Sequence, residues 1–274
     1  MTDAAVTDWL LDADPALRWQ VLRDLLDAPE EAWSAERIRV ETEGWGARLL
    51  ALADADGQWA GAAFWPSGFT EEDWRREGQP WTATSFSLDL LREFGLPPDC
   101  PSARRAVALV GCNSRWEEGD QPFWEGEVEE CINARAVTTG VYFGVDMAPV
   151  VDRLVGEQLA DGGWNCERAR GSVRASFDTT INVLEALLAF ERATGGTPGS
   201  RAARRAGEEY LLARSMFRRL STGEPAAGRY LVPTHPSRWE YDVLRALDHF
   251  RLADALDGDR RDPRLAEAVG VVRS

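Results

Sequence analysis

The chain carries two related tetrapeptides, Asp-Gly-Gln-Trp at residues 56–59 and Asp-Gly-Gly-Trp at residues 161–164, which start 105 residues apart. Each follows a run of apolar residues with helical spacing. Asp-Gly forms turns because glycine adopts a positive φ without steric cost, and a tryptophan two positions later can anchor the turn against a helix. Such a unit, recurring at a fixed period, is typical of a repeat of helical hairpins.

The composition favours one globular domain over residues 1–274. With 44% hydrophobic residues the chain is not of the disordered class. The formal net charge is −15, from 46 acidic and 31 basic residues, which disfavours binding to nucleic acid or to an anionic membrane surface. Every basic residue is arginine, so no lysine can serve as a Schiff base or general base.

The cysteines and the hydropathy of the chain predict a cytoplasmic protein. Four cysteines occur, at positions 100, 112, 131 and 166, and none forms a Cys-x-x-Cys pair. No signal peptide is recognised, so a disulfide framework is not expected. No apolar run reaches the about 18 residues that span a bilayer, so no transmembrane segment is predicted.

Helices are predicted almost throughout, because Leu, Ala, Arg and Glu dominate long segments with 3.6-residue spacing. Two kinds of helix alternate along the chain. Helices that are apolar on most sides belong inside, and amphipathic helices rich in Arg and Glu belong outside. The predicted inner helices are 15–26, 82–94, 131–143, 178–190 and 237–250. The predicted outer helices are 31–53, 102–111, 147–160, 199–214 and 263–272.

The spacing of the predicted inner helices supports a repeat. The starts at 82, 131 and 178 differ by 49 and 47 residues, so the two tetrapeptides lie about two periods apart. The intermediate turn falls at residues 113–116, which keep the tryptophan and lose Asp-Gly. The long loops 57–81, 113–127 and 221–236 are predicted to form the walls of a site.

The segment Gln-Leu-Ala-Asp-Gly-Gly-Trp at 158–164 resembles the Gln-Trp repeat of squalene–hopene cyclases and of prenyltransferase β subunits. As a repeat pattern the resemblance extends over roughly residues 15–272, and it is closest to short bacterial proteins with squalene-cyclase or prenyltransferase repeats. It implies an all-α fold, an α/α toroid of about five helical hairpins where the related toroids have about six. Three outcomes stay open: a closed ring of five hairpins, an open horseshoe, and a ring closed by a partner chain or a second copy.

Two departures from these families bear on chemistry. The Asp-x-Asp-Asp acid of class II cyclases is absent, and Asp-Ala-Asp-Gly at 54–57 is interpreted as a turn, so cyclisation by protonation is disfavoured. Prenyltransferase β subunits hold zinc through an Asp-x-Cys pair at one inner-helix start and a histidine at the next. The matching positions are Glu129, Cys131 and Asp178, so the resemblance implies zinc at these residues, with Cys166 or His235 as further donors.

Two interpretations of these residues stay open. In the first, zinc binds them, because thiolate and carboxylate are zinc ligands and a helix N-terminus stabilises the Cys131 thiolate. In the second, Asp178 caps a helix, Cys131 packs in the core, and no metal is bound. In both, Asp178 and Glu129 are predicted at the mouth of the toroid, where either carboxyl could act as a catalytic acid or base.

Aromatic residues near the inner-helix starts are predicted to line a central cavity. Their faces suit an isoprenoid chain or a carbocation. The predicted substrate-binding residues are Trp81, Phe86, Tyr142, Phe177, Trp239, Tyr241 and His235. The resemblance therefore implies a small-molecule enzyme of the terpenoid cyclase or prenyltransferase type, acting on an apolar or isoprenoid-like substrate. The alternative is a non-catalytic toroid that binds a ligand or a protein.

Overall fold

The structure, a computed structural model, describes residues 4–258 and 261–274, and its regular secondary structure is helical. This confirms the predicted all-α class; apart from isolated β-bridges, the described ranges contain no strand. The α-helices are α1 (Ala4–Leu11), α2 (Pro15–Asp24), α3 (Glu30–Ile38), α4 (Gly44–Ala51), α5 (Glu71–Glu77), α6 (Thr84–Glu93), α7 (Pro101–Asn113), α8 (Glu130–Tyr142), α9 (Ala148–Gly156), α10 (Phe177–Thr194), α11 (Pro198–Leu212), α12 (Val243–Asp257) and α13 (Ala266–Arg273). Short 3-10 helices lie at Arg39–Glu41, Phe123–Glu125, Cys166–Arg170, Gly228–Leu231 and Pro263–Leu265.

Four of the five predicted inner helices form close to their predicted bounds, as α2, α6, α8 and α10. The fifth was predicted at 237–250, but α12 starts only at Val243. Asp242 decides this start, because its Oδ1 accepts the backbone N–H of Arg245 at 2.9 Å and so caps the helix.

The predicted outer helix 31–53 was wrong as one continuous helix. Helix α3 ends at Ile38, a 3-10 turn follows, and α4 begins at Gly44, whose φ of +64° interrupts the helical path. The other segments that were predicted as outer helices are helical, as α7, α9, α11 and α13. Helices α1 and α5 were not predicted; α5 lies inside the predicted wall loop and begins with a capping box at Thr70.

The chain divides into two compact units. The first comprises the residues up to Trp124 together with Tyr142–Val145, and the second comprises Glu125–Val141 and Asp146–Ser274. Each unit contains one Asp-Gly-x-Trp turn. The single toroid domain over residues 1–274 stays a prediction.

In the first unit, the turn at residues 56–59 buries Trp59, which is 2% exposed. Gly57 has a φ of +90°, and this positive value lets the chain reverse direction just before the buried Trp59. The Trp59 backbone N–H donates to Thr84 Oγ1 at 3.1 Å, and its indole Nε1 donates to the Leu49 carbonyl at 2.8 Å. The turn therefore links α4, which precedes it, to α6, which follows.

In the second unit, the turn at residues 161–164 repeats these contacts. Trp164 is fully buried; its backbone N–H donates to Thr180 Oγ1 at 3.1 Å and its indole donates to the Leu154 carbonyl at 2.7 Å. In both turns the acceptor carbonyl precedes the tryptophan by ten residues. Gly162 has a φ of +93°, and a Cβ there would lie 2.7 Å from the Ala206 carbonyl oxygen, so both the backbone and the packing against α11 require glycine.

Two further turns bury an aromatic ring at the corresponding place in the chain. Trp116, in the predicted intermediate turn, is 2% exposed, but its indole donates to the Phe123 carbonyl at 2.9 Å and the two rings stack with centroids 4.6 Å apart. Phe217 follows α11 and is also 2% exposed. The recurring element is thus one buried aromatic side chain after an amphipathic helix, and Asp-Gly is only one way to place it.

Candidate metal centre

Three potential ligand atoms, from Glu129, Cys131 and Cys166, all lie within 4.8 Å of one another. The three residues are half-buried, and the Cys131 thiol donates to Glu129 Oε2 across 3.7 Å. Within the described residues, no other group of three or more Cys, His, Asp or Glu side chains has this spacing. Two sulfurs and one carboxylate oxygen converge here as a soft, anionic donor set.

The Asp-Gly-Gly-Trp turn positions one of the two cysteines. Trp164 anchors the chain two residues before Cys166, which opens the 3-10 helix that Asn165 caps. Thr179, on α10, accepts the backbone N–H of Cys166 at 3.2 Å. Cys131 lies in the first turn of α8, so the centre is built from one helix start and one anchored turn.

An ion pair holds the two cysteine-bearing segments together. Arg168, two residues after Cys166, donates to Glu130 at 2.5 Å and to Glu157 at 2.7 Å. Glu130 precedes Cys131 and is only 1% exposed. An ionised carboxylate this buried needs a charged partner, because an unpaired buried charge destabilises the fold. Arg168 can pair with Glu130 only when the segment that carries Cys166 lies against α8.

The two thiols differ in acidity. Two hydrogen bonds, first from Cys131 and to a smaller extent from Thr179 Oγ1 at 3.5 Å, lower the pKa of Cys166 to about 7 against the opposing effect of burial. The same contact with Cys166, together with burial and the neighbouring Glu129 carboxylate, raises the pKa of Cys131 well above its ordinary value. Cys166 is therefore the thiolate of the pair near neutral pH, and Cys131 is the proton donor.

We expect iodoacetamide to alkylate Cys166 of the metal-free protein with a midpoint near pH 7, and Cys131 only at much higher pH. The thiolate is the nucleophile, so the rate rises as each proton is lost. Mass mapping of the cysteine peptides across a pH series measures both profiles. Thr179→Val should move the Cys166 midpoint upward, because it removes a donor to the thiolate. A Cys166 midpoint at the ordinary thiol value of about 8.5 would contradict the assignment.

One donor–donor distance in the cluster matches the spacing of zinc ligands. Bonds of about 2.3 Å to sulfur and about 2.0–2.2 Å to oxygen place neighbouring ligand atoms of a tetrahedron about 3.5–3.8 Å apart. The 3.7 Å between Cys131 Sγ and Glu129 Oε2 lies in this range. Catalytic zinc sites have three protein ligands and a fourth position for water or substrate.

Asp178, the third predicted ligand, is not a member of this cluster. Its Oδ2 accepts from Arg229 at 2.7 Å and from the Tyr230 hydroxyl at 2.9 Å, while Oδ1 accepts the Tyr241 backbone N–H at 2.7 Å. Both oxygens are thus engaged in fastening the segment before α12 to the start of α10. Cys166, one of the two further donors expected from the sequence, occupies the third place, and the catalytic roles of Asp178 and Glu129 stay predictions.

Three of the predicted substrate-binding residues belong to the first unit. Phe86 is 4% exposed, and its ring centroid lies 4.9 Å from that of the half-buried Trp81. The Tyr142 hydroxyl donates to the Leu96 carbonyl at 2.8 Å and accepts from Arg37 at 2.9 Å. Each of these side chains therefore has packing or hydrogen-bonding partners within its own unit.

The other four belong to the second unit. Phe177 and Tyr241 are buried with ring centroids 5.2 Å apart, and Phe177 also packs against Tyr230 at 5.2 Å. Trp239 is 43% exposed and His235 is exposed. In this unit the predicted set therefore consists of two core aromatics and two surface side chains.

Arg168 and Thr179 contact the residues of the candidate metal centre but were not predicted from the sequence. Arg168 follows Cys166 by two residues, and Thr179 adjoins the predicted ligand Asp178, so both lie beside candidate positions. Their positions in the sequence do not show which residues they contact. Arg168, for example, pairs with Glu130, which lies 38 positions away in the chain. Only folding brings these partners together.

No known protein family, curated protein or solved structure matches this chain. The likeness to cyclase and prenyltransferase repeats therefore depends on the sequence motifs alone. No helix in the described ranges has the length and apolar character needed to cross a membrane.

Proposed function

We infer that this protein is a zinc-dependent transferase of the terpenoid type, acting on an apolar or isoprenoid-like small molecule. The observation that carries this proposal is the convergence of Glu129, Cys131 and Cys166 within 4.8 Å. The substrate class is supported by the resemblance of residues 158–164 to the Gln-Trp repeat. The same segment leads directly into the turn that carries Cys166.

The charge of the donor set favours one kind of chemistry. Two thiolates and one carboxylate outweigh the charge of a zinc ion, leaving the loaded centre with a net charge of about −1. Zinc in such a setting supplies a position where a substrate thiol is kept deprotonated, rather than a strong Lewis acid. The residues themselves favour this: Cys166 is ionised near neutral pH, and the Cys131 thiol, which would lose its proton when metal binds, has its sulfur 3.7 Å from Glu129 Oε2.

The proposed reaction is transfer of an allylic group to a thiol. A bond forms between the thiol sulfur and the allylic carbon, and the bond from that carbon to the diphosphate oxygen breaks. The diphosphate leaves with the bonding electron pair, and the thiol proton goes to solvent. An acceptor thiol fits the proposed centre better than a water molecule does, because zinc held by an anionic donor set would raise the acidity of water less than zinc held by neutral histidines.

We expect the purified protein to contain about one zinc ion per chain and to lose it in Cys131→Ser and Cys166→Ser. Cys112→Ala is the matched control, because Cys112 is exposed and outside the cluster, and it should keep the metal. Asp178→Asn should also keep it, since Asp178 fastens a loop and is not a cluster member. Elemental analysis after gel filtration gives the stoichiometry, and circular dichroism shows whether each variant is folded.

Residues that hydrogen-bond to the proposed ligands should also affect the affinity for zinc. Thr179→Val removes a hydrogen bond to Cys166 Sγ, and we expect it to weaken zinc binding by about 10–100-fold, as such changes do at other zinc sites. Competition with a coloured chelator measures the affinity. Metal-free wild-type protein, or zinc that persists in both cysteine variants, would overturn the proposed centre.

The transferase activity needs its own test. Zinc-loaded protein is incubated with an isoprenyl diphosphate and a small thiol, and the release of diphosphate and the formation of thioether are followed. Activity should disappear in Cys166→Ser and persist in Cys112→Ala. A protein that holds stoichiometric zinc but forms no thioether with any chain length would retain the metal centre and refute the transferase.

A non-catalytic binding protein is the second candidate, and the burial of Phe86, Phe177 and Tyr241 favours it. Side chains that fill a core are not available to hold a substrate. Under this alternative the purified protein carries neither zinc nor an apolar ligand in native mass spectra. Detection of stoichiometric zinc favours the enzyme.

A further inference from the structure

The two cysteines of the candidate metal centre are also close enough to react with each other. The sulfur atoms of Cys131 and Cys166 lie no more than 4.8 Å apart. A disulfide needs a sulfur–sulfur distance of about 2.05 Å. Turning one cysteine from one χ1 rotamer to the next moves its sulfur by about 3 Å, which is the size of movement needed.

The fold holds the two cysteine-bearing segments at this separation. The 3-10 helix that begins with Cys166 is joined to α8 by the ion pair of Arg168 with Glu130, whose neighbour is Cys131. The backbone N–H of Cys166 is fixed by Thr179 Oγ1 at 3.2 Å. Restricting two groups to one place raises the effective concentration of each at the other. A bond between these two thiols is therefore favoured over a bond to a thiol from solution.

Small oxidants have access to both sulfurs, and the hydrogen bonds of the two thiols differ. Cys131 and Cys166 are half-buried, whereas Cys100 is buried. Thr179 Oγ1 donates to Cys166 Sγ at 3.5 Å, but the Cys131 thiol donates to Glu129 Oε2 across 3.7 Å. The Glu129 carboxylate disfavours a second negative charge on Cys131. Cys166 is therefore the sulfur that attacks an oxidant, and Cys131 follows.

We propose that Cys131 and Cys166 form a reversible disulfide when a hydroperoxide reaches them. The Cys166 sulfur attacks one peroxide oxygen, the oxygen–oxygen bond breaks, and a sulfenic acid forms as water or an alcohol leaves. The Cys131 sulfur then attacks the Cys166 sulfur, the sulfur–oxygen bond breaks, and the hydroxide leaves with the Cys131 proton as water. Two thiols lose two electrons, and the peroxide gains them.

The disulfide would also control the metal centre. Zinc binds thiolates, so a disulfide removes two of the three candidate ligands and leaves Glu129 alone. This consequence rests on the proposed zinc site, whereas formation of the disulfide does not. The two can therefore be tested separately on the same protein.

The first test uses the full-length protein, stripped of metal with a chelator and treated with hydrogen peroxide. Peptide mass mapping without reduction should show Cys131 linked to Cys166 with the loss of two hydrogen atoms, and dithiothreitol should reverse the link. Cys112→Ala, which removes an exposed cysteine, is the matched control and should form the same link. In Cys131→Ser the sulfenic acid has no resolving thiol, so Cys166 should be oxidised further to the sulfinic acid.

A second test examines the geometry with an equilibrium in glutathione buffers. Arg168→Gln removes the ion pair with Glu130 and should lower the equilibrium constant for disulfide formation by about tenfold. Arg170→Gln is the matched control, because Arg170 lies on the same 3-10 helix and pairs with the exposed Glu167. Its equilibrium constant should equal that of the wild type. Equal constants in both variants would contradict the role of the fold in pairing the thiols.

The last test separates the disulfide from the proposed zinc site. Zinc-loaded protein is treated with peroxide beside a coloured chelator, and about one zinc ion should be released for each disulfide formed. A protein that forms the disulfide but never holds zinc would support the disulfide and refute the proposed metal centre. A protein that holds zinc, yet yields only sulfinic acid or unreacted thiols after metal removal and peroxide treatment, would overturn the disulfide and leave the metal centre standing.

Discussion

Replacing Arg204 with leucine is expected to lower the free energy of unfolding of the second unit by about 3–5 kcal/mol. Arg204 is completely buried on α11 and donates to three carboxylates: Glu191 at 3.0 Å, Glu208 at 2.7 Å and Asp257 at 2.9 Å. Glu191 lies on α10 and Asp257 on α12, so one guanidinium joins three helices. Its removal leaves buried negative charges without a partner, which costs more than the ion pairs contribute.

The neighbouring Arg205→Leu is the control for this prediction. Arg205 also pairs with Asp257, at 3.0 Å, but its side chain is 51% exposed. An exposed pair contributes at most about 1 kcal/mol, so this variant should unfold close to wild type. Urea titration followed by circular dichroism measures both. The triple variant Arg204→Leu, Glu191→Gln, Glu208→Gln should recover part of the lost stability, because it also removes two of the buried negative charges. A triple variant that is no more stable than Arg204→Leu alone would contradict this account.

Replacing Trp164 with alanine is expected to cost about 3–5 kcal/mol, the usual range for removing a buried aromatic side chain. Trp164 is 0% exposed, its indole donates to the Leu154 carbonyl, and its ring packs so closely on Gly207 that a Cβ there would lie 2.7 Å from it. Because Cys166 follows by two residues, the variant should also lose the zinc that we propose for the cluster. Urea titration and elemental analysis measure the two effects on one preparation.

Trp59→Ala separates these two effects. Trp59 is buried in the first unit by the same pair of hydrogen bonds, so its loss should destabilise the protein to a similar degree while zinc is retained. Trp9→Ala, at a side chain that is 71% exposed, should change neither stability nor metal content. Retention of zinc in Trp164→Ala would show that the turn is not what positions Cys166.

Much of the local structure could be predicted from the sequence. The Asp-Gly dipeptides predict the turns at Gly57 and Gly162, because a turn position with positive φ favours glycine whatever surrounds it. The helical class and most helix bounds follow from 3.6-residue periodicity, which is a property of consecutive residues. Where prediction failed, at residues 237–242 and at Gly44, a single cap or a single glycine ended the helix against the apolar pattern.

The candidate site divides in the same way. The sequence alone placed Glu129 and Cys131 close together in the chain at a predicted helix start, but the 3.7 Å contact between their side chains is a property of the fold. Only the tertiary structure decided that Cys166, rather than Asp178, lies beside them. It also decided that Arg168 pairs with Glu130 and that Arg204 pairs with three carboxylates. These contacts join residues far apart in the chain, and among 46 acidic and 31 basic residues no local pattern specifies which charges will meet. Burial makes that choice, because a charge removed from water is stable only beside the partner that the packing of the helices supplies.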